Sequence, residues 1–223
     1  MIPDYEQRIE VLKELKFIDE NSTVLLKGRV ACEVGIVNCI TGCYSDPEIQ
    51  INSTNELVLT ELILENTLAT YDPEEVVALL SCFVFQEKTE VEPLLPPKLQ
   101  EGRSVIQVIN DRIGRVQDRQ KIASEEFRSV LKFGLTEVVY EWAKGMVRIT
   151  YPPMDAKLLI KVQPFEQITA ITDVPEGSIV RCITRLDETC REVRDAARVI
   201  GDARLFKKME EAQLKIKRDS KFA

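Results

Sequence analysis

Histidine is absent from all 223 residues. This removes the usual general base of neutral-pH catalysis and leaves carboxylate, lysine, tyrosine or cysteine as the available acid–base chemistry. It also rules out any mixed Cys/His metal site. The six cysteines (Cys32, Cys39, Cys43, Cys82, Cys182, Cys190) form no Cys-x-x-Cys pair. Reduced structural thiols are therefore expected, with no metal bound. The sequence has no G-x-x-x-x-G-K-[ST] phosphate loop, no G-x-G-x-x-G turn and no Asp-Glu pair following a strand, so ATP hydrolysis by the usual route is excluded for these residues. No apolar run approaches the roughly 20 residues that span a bilayer. Met1-Ile2-Pro3-Asp4 lacks a signal pattern, which points to an intracellular, non-membrane chain. Positive charge is also short: 30 Lys and Arg stand against 37 Asp and Glu, a net charge of −7. Broad, non-specific polyanion binding depends on counterions released by a basic surface, so any nucleic-acid contact must be local.

What is present describes a packed protein. Hydrophobic residues make up 44% and charged residues 30%, ordinary values for a soluble globular chain long enough to bury one large core. Asp4 to Ile18 carries apolar residues at helical spacing. Thr23–Leu26 and Arg29–Cys32, separated by Lys27-Gly28, read as a small strand pair of winged-helix type. A capping-box pattern at Ser53 and Glu56 opens a helix expected to reach about Ala69. Asp72-Pro73-Glu74-Glu75 opens the next, and Val76 to Phe85 is apolar on nearly every face, which places that helix at the centre of a bundle.

Beyond the Pro93–Pro97 linker, the spacing predicts helices over 98–117 and from Ser124 to about Lys144-Gly145. A short helix is expected from Pro164 to about Ile171. A long one opens at Pro175-Glu176, with Ile179, Ile183, Leu186, Cys190, Val193, Ala197 and Ile200 separated by alternating gaps of four and three. This period gives one continuous buried seam ended by Gly201. A last helix runs from Ala203 to about Arg218, with Leu205, Phe206, Met209, Leu214 and Ile216 inside. The expected fold is an all-α multi-helix bundle over 53–223, preceded by a winged-helix remnant over 1–52.

Two features invite a chemical reading. Cys82 lies in a run apolar on all sides, where burial raises a thiol's pKa and leaves it inert, so no catalytic residue is assigned. Arg181 and Arg185 lie one turn apart, two positions after seam residues, and so point away from the packed face, with Glu188 and Glu192 expected to continue the stripe. Such a stripe is ordinarily a solvated face of i, i+4 ion pairs. The functional alternative is two guanidiniums reaching one nucleic-acid strand. The pair 164–172 and 175–200 also has helix-turn-helix spacing, without the basic surround that DNA reading requires.

Five strings now decide between these readings: Lys27-Gly28-Arg29-Val30-Ala31-Cys32-Glu33, Asn55-Glu56-Leu57-Val58-Leu59-Thr60-Glu61, Ala78 to Glu87, Glu137-Val138-Val139-Tyr140-Glu141-Trp142 and Glu176-Gly177-Ser178-Ile179-Val180-Arg181. In this order they resemble the C-terminal helical domain of exosome-associated DExH-box RNA helicases. Cys182 to Arg191 is similar to the superkiller branch. The resemblance implies a domain that packs on two RecA-like motor domains and closes a channel for single-stranded RNA. ATP and magnesium would belong to those motor domains, with no cofactor in this chain. It also implies RNA contacts from Arg181, with Arg185 and Glu87, partners in superkiller complex subunits and the cytoplasmic exosome, and a cytoplasmic location. A helical scaffold without nucleic-acid binding is the competing class, and the acidic charge suits it.

Val34 to Gln50 and Val147 to Gln163 interrupt the family-like strings. Each is 17 residues long, begins with Val and ends with Gln. An in-frame intron starts with GT, which encodes Val, and ends in CAG, which encodes Gln, so both segments read as translated introns; the alternative is a pair of surface insertions, with Val147 to Tyr151 and Lys157 to Val162 forming a hairpin around Pro152 and Pro153. Gly145 and Pro164 would otherwise stop one helix and start the next across a short connection. Ser220-Lys221-Phe222-Ala223 departs from the apolar run that the resemblance implies, and Met1 falls where a long helicase would already be under way. The expectation is a piece of a larger protein.

Overall fold

A computed structural model describes residues 2–40, 53–122, 131–145, 169 and 171–217. The chain folds into α1 (Ile2–Glu14), α2 (Leu26–Ile40), α3 (Ser53–Leu64), a 3-10 turn (Thr67–Thr70), α4 (Pro73–Val84), α5 (Pro97–Arg119), α6 (Thr136–Lys144), α7 (Glu176–Ile200) and α8 (Ala203–Ile216). No strand occurs among the described residues, which hold a single antiparallel bridge between Ile18 and Val24. The all-α bundle is as expected.

The bundle is organised around α4. Its start is fixed by a reciprocal capping box, in which Asp72 accepts from the Glu75 backbone N–H and the Glu75 carboxylate accepts from the Asp72 N–H at 2.8 Å, while Pro73 supplies helical φ where no N–H is needed. Val76, Val77, Ala78, Leu80 and Cys82 are fully buried, so the helix is wrapped on all sides by α5, α6, α7 and α8. Gly102 on α5 allows close approach, since a Cβ there would sit 2.6 Å from a Leu79 methyl. α7 and α8 form a hairpin turned by Gly201 at φ 77°, and Asp202 caps α8 by accepting from the N–H groups of Arg204 and Leu205. The Lys208 ammonium donates to the carbonyls of Leu68, Ala69 and Tyr71, which ties α8 to the 3-10 turn. Trp142 on α6 donates its indole N–H to the Ile216 carbonyl at 3.0 Å.

The strand pair of the winged remnant is corrected: 26–40 is helix α2. Val30 and Val34, one turn apart, are both buried, and α2 packs on α3 and α7. Gly28 is no turn residue. A Cβ there would lie 2.5 Å from the Phe17 carbonyl oxygen, so the glycine permits a close crossing. The helix expected over 124–144 does not run through either. Residues 131–135 are non-helical and α6 starts at Thr136, while 123–130 lie outside the described residues; Gly134 packs on Thr89, where a Cβ would lie 2.5 Å from its hydroxyl. Leu214, read as inside, is 71% exposed. The helix α2 crosses the proposed Glu33/Val34 junction without a break. Residues 41–50 of the first inserted segment, all of 147–163, and the short helix from Pro164 apart from Thr169 and Ile171 lie outside the described residues.

Candidate nucleic-acid interface

Helix α7 begins where proline makes a sharp entry. Pro175 is its N-cap and offers no side-chain cap, while the Thr172 hydroxyl accepts from the Val174 N–H and shapes the approach. Ile179, Leu186, Cys190, Val193 and Ala197 are buried along the expected seam, and Ile183 and Ile200 are partly buried against it. The opposite side of the first two turns is open. Gly177, Val180, Arg181, Thr184 and Arg185 are all exposed.

The structure brings two of the three candidate residues together. Arg181 lies with its guanidinium 3.7 Å from the Glu87 carboxylate, across the gap between α7 and the loop that leaves α4. The Ser178 hydroxyl at 3.0 Å and the Gly177 carbonyl at 3.4 Å accept from the same guanidinium and orient it along the helix. Its side chain nevertheless stays 74% exposed and that of Glu87 45% exposed. Arg185, one turn on, is exposed and makes no ion pair among the described residues. Beneath it, burial pushes the Cys182 thiol up to about 12, which keeps it protonated. Cys82 is likewise driven well above its ordinary value by burial.

The loop carrying Glu87 is pinned at several points. Asp173 accepts from the Glu90 N–H at 2.8 Å, and Glu137 accepts from the Leu94 N–H at 2.6 Å. Lys132 donates to the Gln86 carbonyl. Arg103 pairs with Glu92 at 3.2 Å and lies over the Phe133 ring at 5.2 Å. Between loop and body opens a cleft of about 360 Å³, lined by Glu87, Lys88, Arg103 and Lys132 among others. Sequence reasoning missed this cleft, since its walls come from residues far apart in the chain with no shared motif.

The expected acidic continuation of the stripe is corrected. Glu188 is half-buried and Glu192 is only 9% exposed; α2 and α3 both pack on α7. Burial, reinforced by Glu188 and by Glu56 of α3, pushes the Glu192 carboxyl up to about 8. Burial also raises Glu56. Asp187, one position before Glu188, shows the opposite outcome. Burial works against its charged form, but hydrogen bonds from Arg191, Gln213 and Lys217 outweigh it and hold its pKa below the ordinary value. No group of three Cys, Asp or Glu among the described residues is placed to hold a metal ion, and no described helix is long and apolar enough to cross a membrane.

Comparison with known proteins places this geometry. The DSHCT (NUC185) domain family matches residues 48–147 and 160–223, and the gap between the two stretches falls inside the segment read as the second insertion. The chain is 42% identical over 229 residues to the antiviral helicase SKI2 of Saccharomyces cerevisiae, with all of this chain and 15% of that protein covered. It is 40% identical over 225 residues to superkiller complex protein 2 of Homo sapiens, again with 100% and 15% covered. With the ATP-dependent RNA helicase mtr4 of Schizosaccharomyces pombe it shares 36% over 225 residues, 100% and 17%. The chain thus spans about one-sixth of the length of these relatives. It belongs to the DSHCT (NUC185) domain family, as a domain of the superkiller and Mtr4 helicase type.

Proposed function

We propose that this chain is the RNA-contacting helical domain of an ATP-dependent RNA helicase that feeds single-stranded RNA to the exosome for 3'-5' decay. The observation that carries this reading is the open face of α7, where Arg181 is pre-oriented by Ser178 and Gly177 and stays 74% exposed. A guanidinium held this way presents its remaining donors to a phosphate or its plane to a base. Arg185 extends the contact by one turn along the same face, and Glu87 lines its other side as an acceptor for base or ribose donors. A net charge of −7 confines the contact to this strip.

The RecA-like motor domains of the parent helicase hold ATP and its magnesium, and this domain packs on them. The wider partners are superkiller complex subunits and the cytoplasmic exosome, which places the parent in the cytoplasm. The names of the relatives support this reading.

The test is binding of short single-stranded RNA by the wild-type chain, Arg181→Ala and Arg185→Ala, with and without motor domains supplied. Each substitution is expected to weaken binding by about 1–3 kcal/mol if the guanidinium stacks on a base, and to flatten the salt dependence if it meets a phosphate. No RNA affinity even with motor domains present would favour a helical scaffold. A preference for duplex DNA would favour a helix-turn-helix protein.

A further inference from the structure

Gly177 is a glycine that the fold does not require. Gly28, Gly102 and Gly134 each meet a neighbour that a Cβ would strike, and Gly201 has a positive φ. Gly177 has neither reason. It is the second residue of α7, in helical backbone, and a Cβ built there would meet nothing within 4 Å among the described residues. Alanine would fit this site and would favour the helix more. A glycine on an open helical face, against local propensity, marks a place where something outside these residues comes close to the backbone.

We propose that Gly177 is a clearance residue for the RNA strand, a part of the binding face at which a ribose or base lies directly on the helix. The inference rests on the RNA reading of α7 and extends it. Two observations favour RNA as the occupant. The Gly177 carbonyl accepts from the Arg181 guanidinium at 3.4 Å, so the bare backbone and the exposed cation are neighbours. Val180 and Thr184, at three and seven residues from Gly177, are exposed and carry the same open strip toward Arg185. Any side chain at 177 would stand between the strand and Arg181 and lift the strand from the helix.

The experiment titrates a fluorescein-labelled oligouridylate with the full 223-residue chain, read by anisotropy over a series of salt concentrations, with a thermal melt of each protein. Gly177→Ala is expected to melt at or above the wild-type temperature and to bind about threefold more weakly, and Gly177→Leu at least about tenfold more weakly. Because no phosphate contact is removed, both keep the wild-type slope of log K against log salt, whereas Arg181→Ala flattens it by about 0.7. Gly177→Leu binding within about twofold of wild type, while Arg181→Ala binds poorly, would overturn the clearance role and leave the RNA reading standing. Lowered melting temperatures for both glycine variants would also overturn it, by making the glycine structural. A wild-type chain that binds no oligouridylate, or an Arg181→Ala variant that binds as well as wild type, would remove the RNA reading and this inference together.

Discussion

Along α7, one stripe runs through Arg181, Arg185, Glu188 and Glu192, and only its arginine half is exposed. Arg181 keeps 74% of its side chain exposed, whereas Glu192 retains 9% of its surface. Spacing on one helix specifies which residues share a face. What covers that face depends on other elements: α2 and α3 pack on α7, and Glu56 of α3 lies close enough to act on Glu192. The result is one helix with two electrostatic regimes: exposed charges screened by water at one end, and a desolvated carboxyl beside two others further along.

The largest expected effect strikes the seam common to both regimes. Leu186 is fully buried between the arginine turns and the glutamate turns. Leu186→Ala removes buried methyl groups and leaves a cavity, at a cost of about 3 kcal/mol. Urea unfolding measures it. A cost below about 1 kcal/mol would mean that α7 is not held by this seam.

Protonation separates the two regimes next. The folded-state pKa of Glu192 is about 8 against an ordinary value of 4.5. Between those values the folded chain keeps a proton that the unfolded chain releases, so stability falls as pH rises from about 4.5 to 8 and levels off above. Glu192→Gln keeps the shape without the ionisation. It is expected to flatten that decline and to be more stable than wild type at alkaline pH, by on the order of 2 kcal/mol. Identical pH–stability curves for the two proteins, taken from denaturant midpoints, would show that Glu192 is solvated like Arg181.

How much of this was legible follows the same division between local and remote causes. The start of α4 could be read in the sequence because Asp72, Pro73 and Glu75 act on their own backbone within one turn. The α7 seam could be read because its period is internal to the helix. Segment 23–32 was misread because Thr23, Val24 and Val30 favour strands and Gly28 resembles a turn, whereas the need for glycine comes from Phe17, which crosses close by. The i, i+4 pair Val30 and Val34 carried the correct helical signal. The close approach of Gly134 to Thr89, residues far apart in the chain, left no mark in the local pattern either. At the candidate interface, the exposure of Arg181 and Arg185 was legible. Its pairing with Glu87 depends on the loop beyond α4, pinned by Asp173, Glu137 and Lys132, and the burial of Glu192 depends on α3.

The smallest effect sharpens the contrast most, because it separates binding from stability. Arg181 and Glu87 are 3.7 Å apart with side chains 74% and 45% exposed. Water screens such a pair, and holding two long side chains in register costs entropy that offsets much of the Coulomb gain. A double-mutant cycle of Arg181→Ala, Glu87→Ala and the double variant is expected to give a coupling below about 0.5 kcal/mol in urea unfolding, and less at high salt. A buried pair in the same cycle leaves one charge stranded and gives several times that value. A coupling above about 2 kcal/mol would therefore mean that the open end of α7 is as desolvated as the region around Glu192. Arg181 would then be committed to the fold, with its donors spent before any RNA arrives.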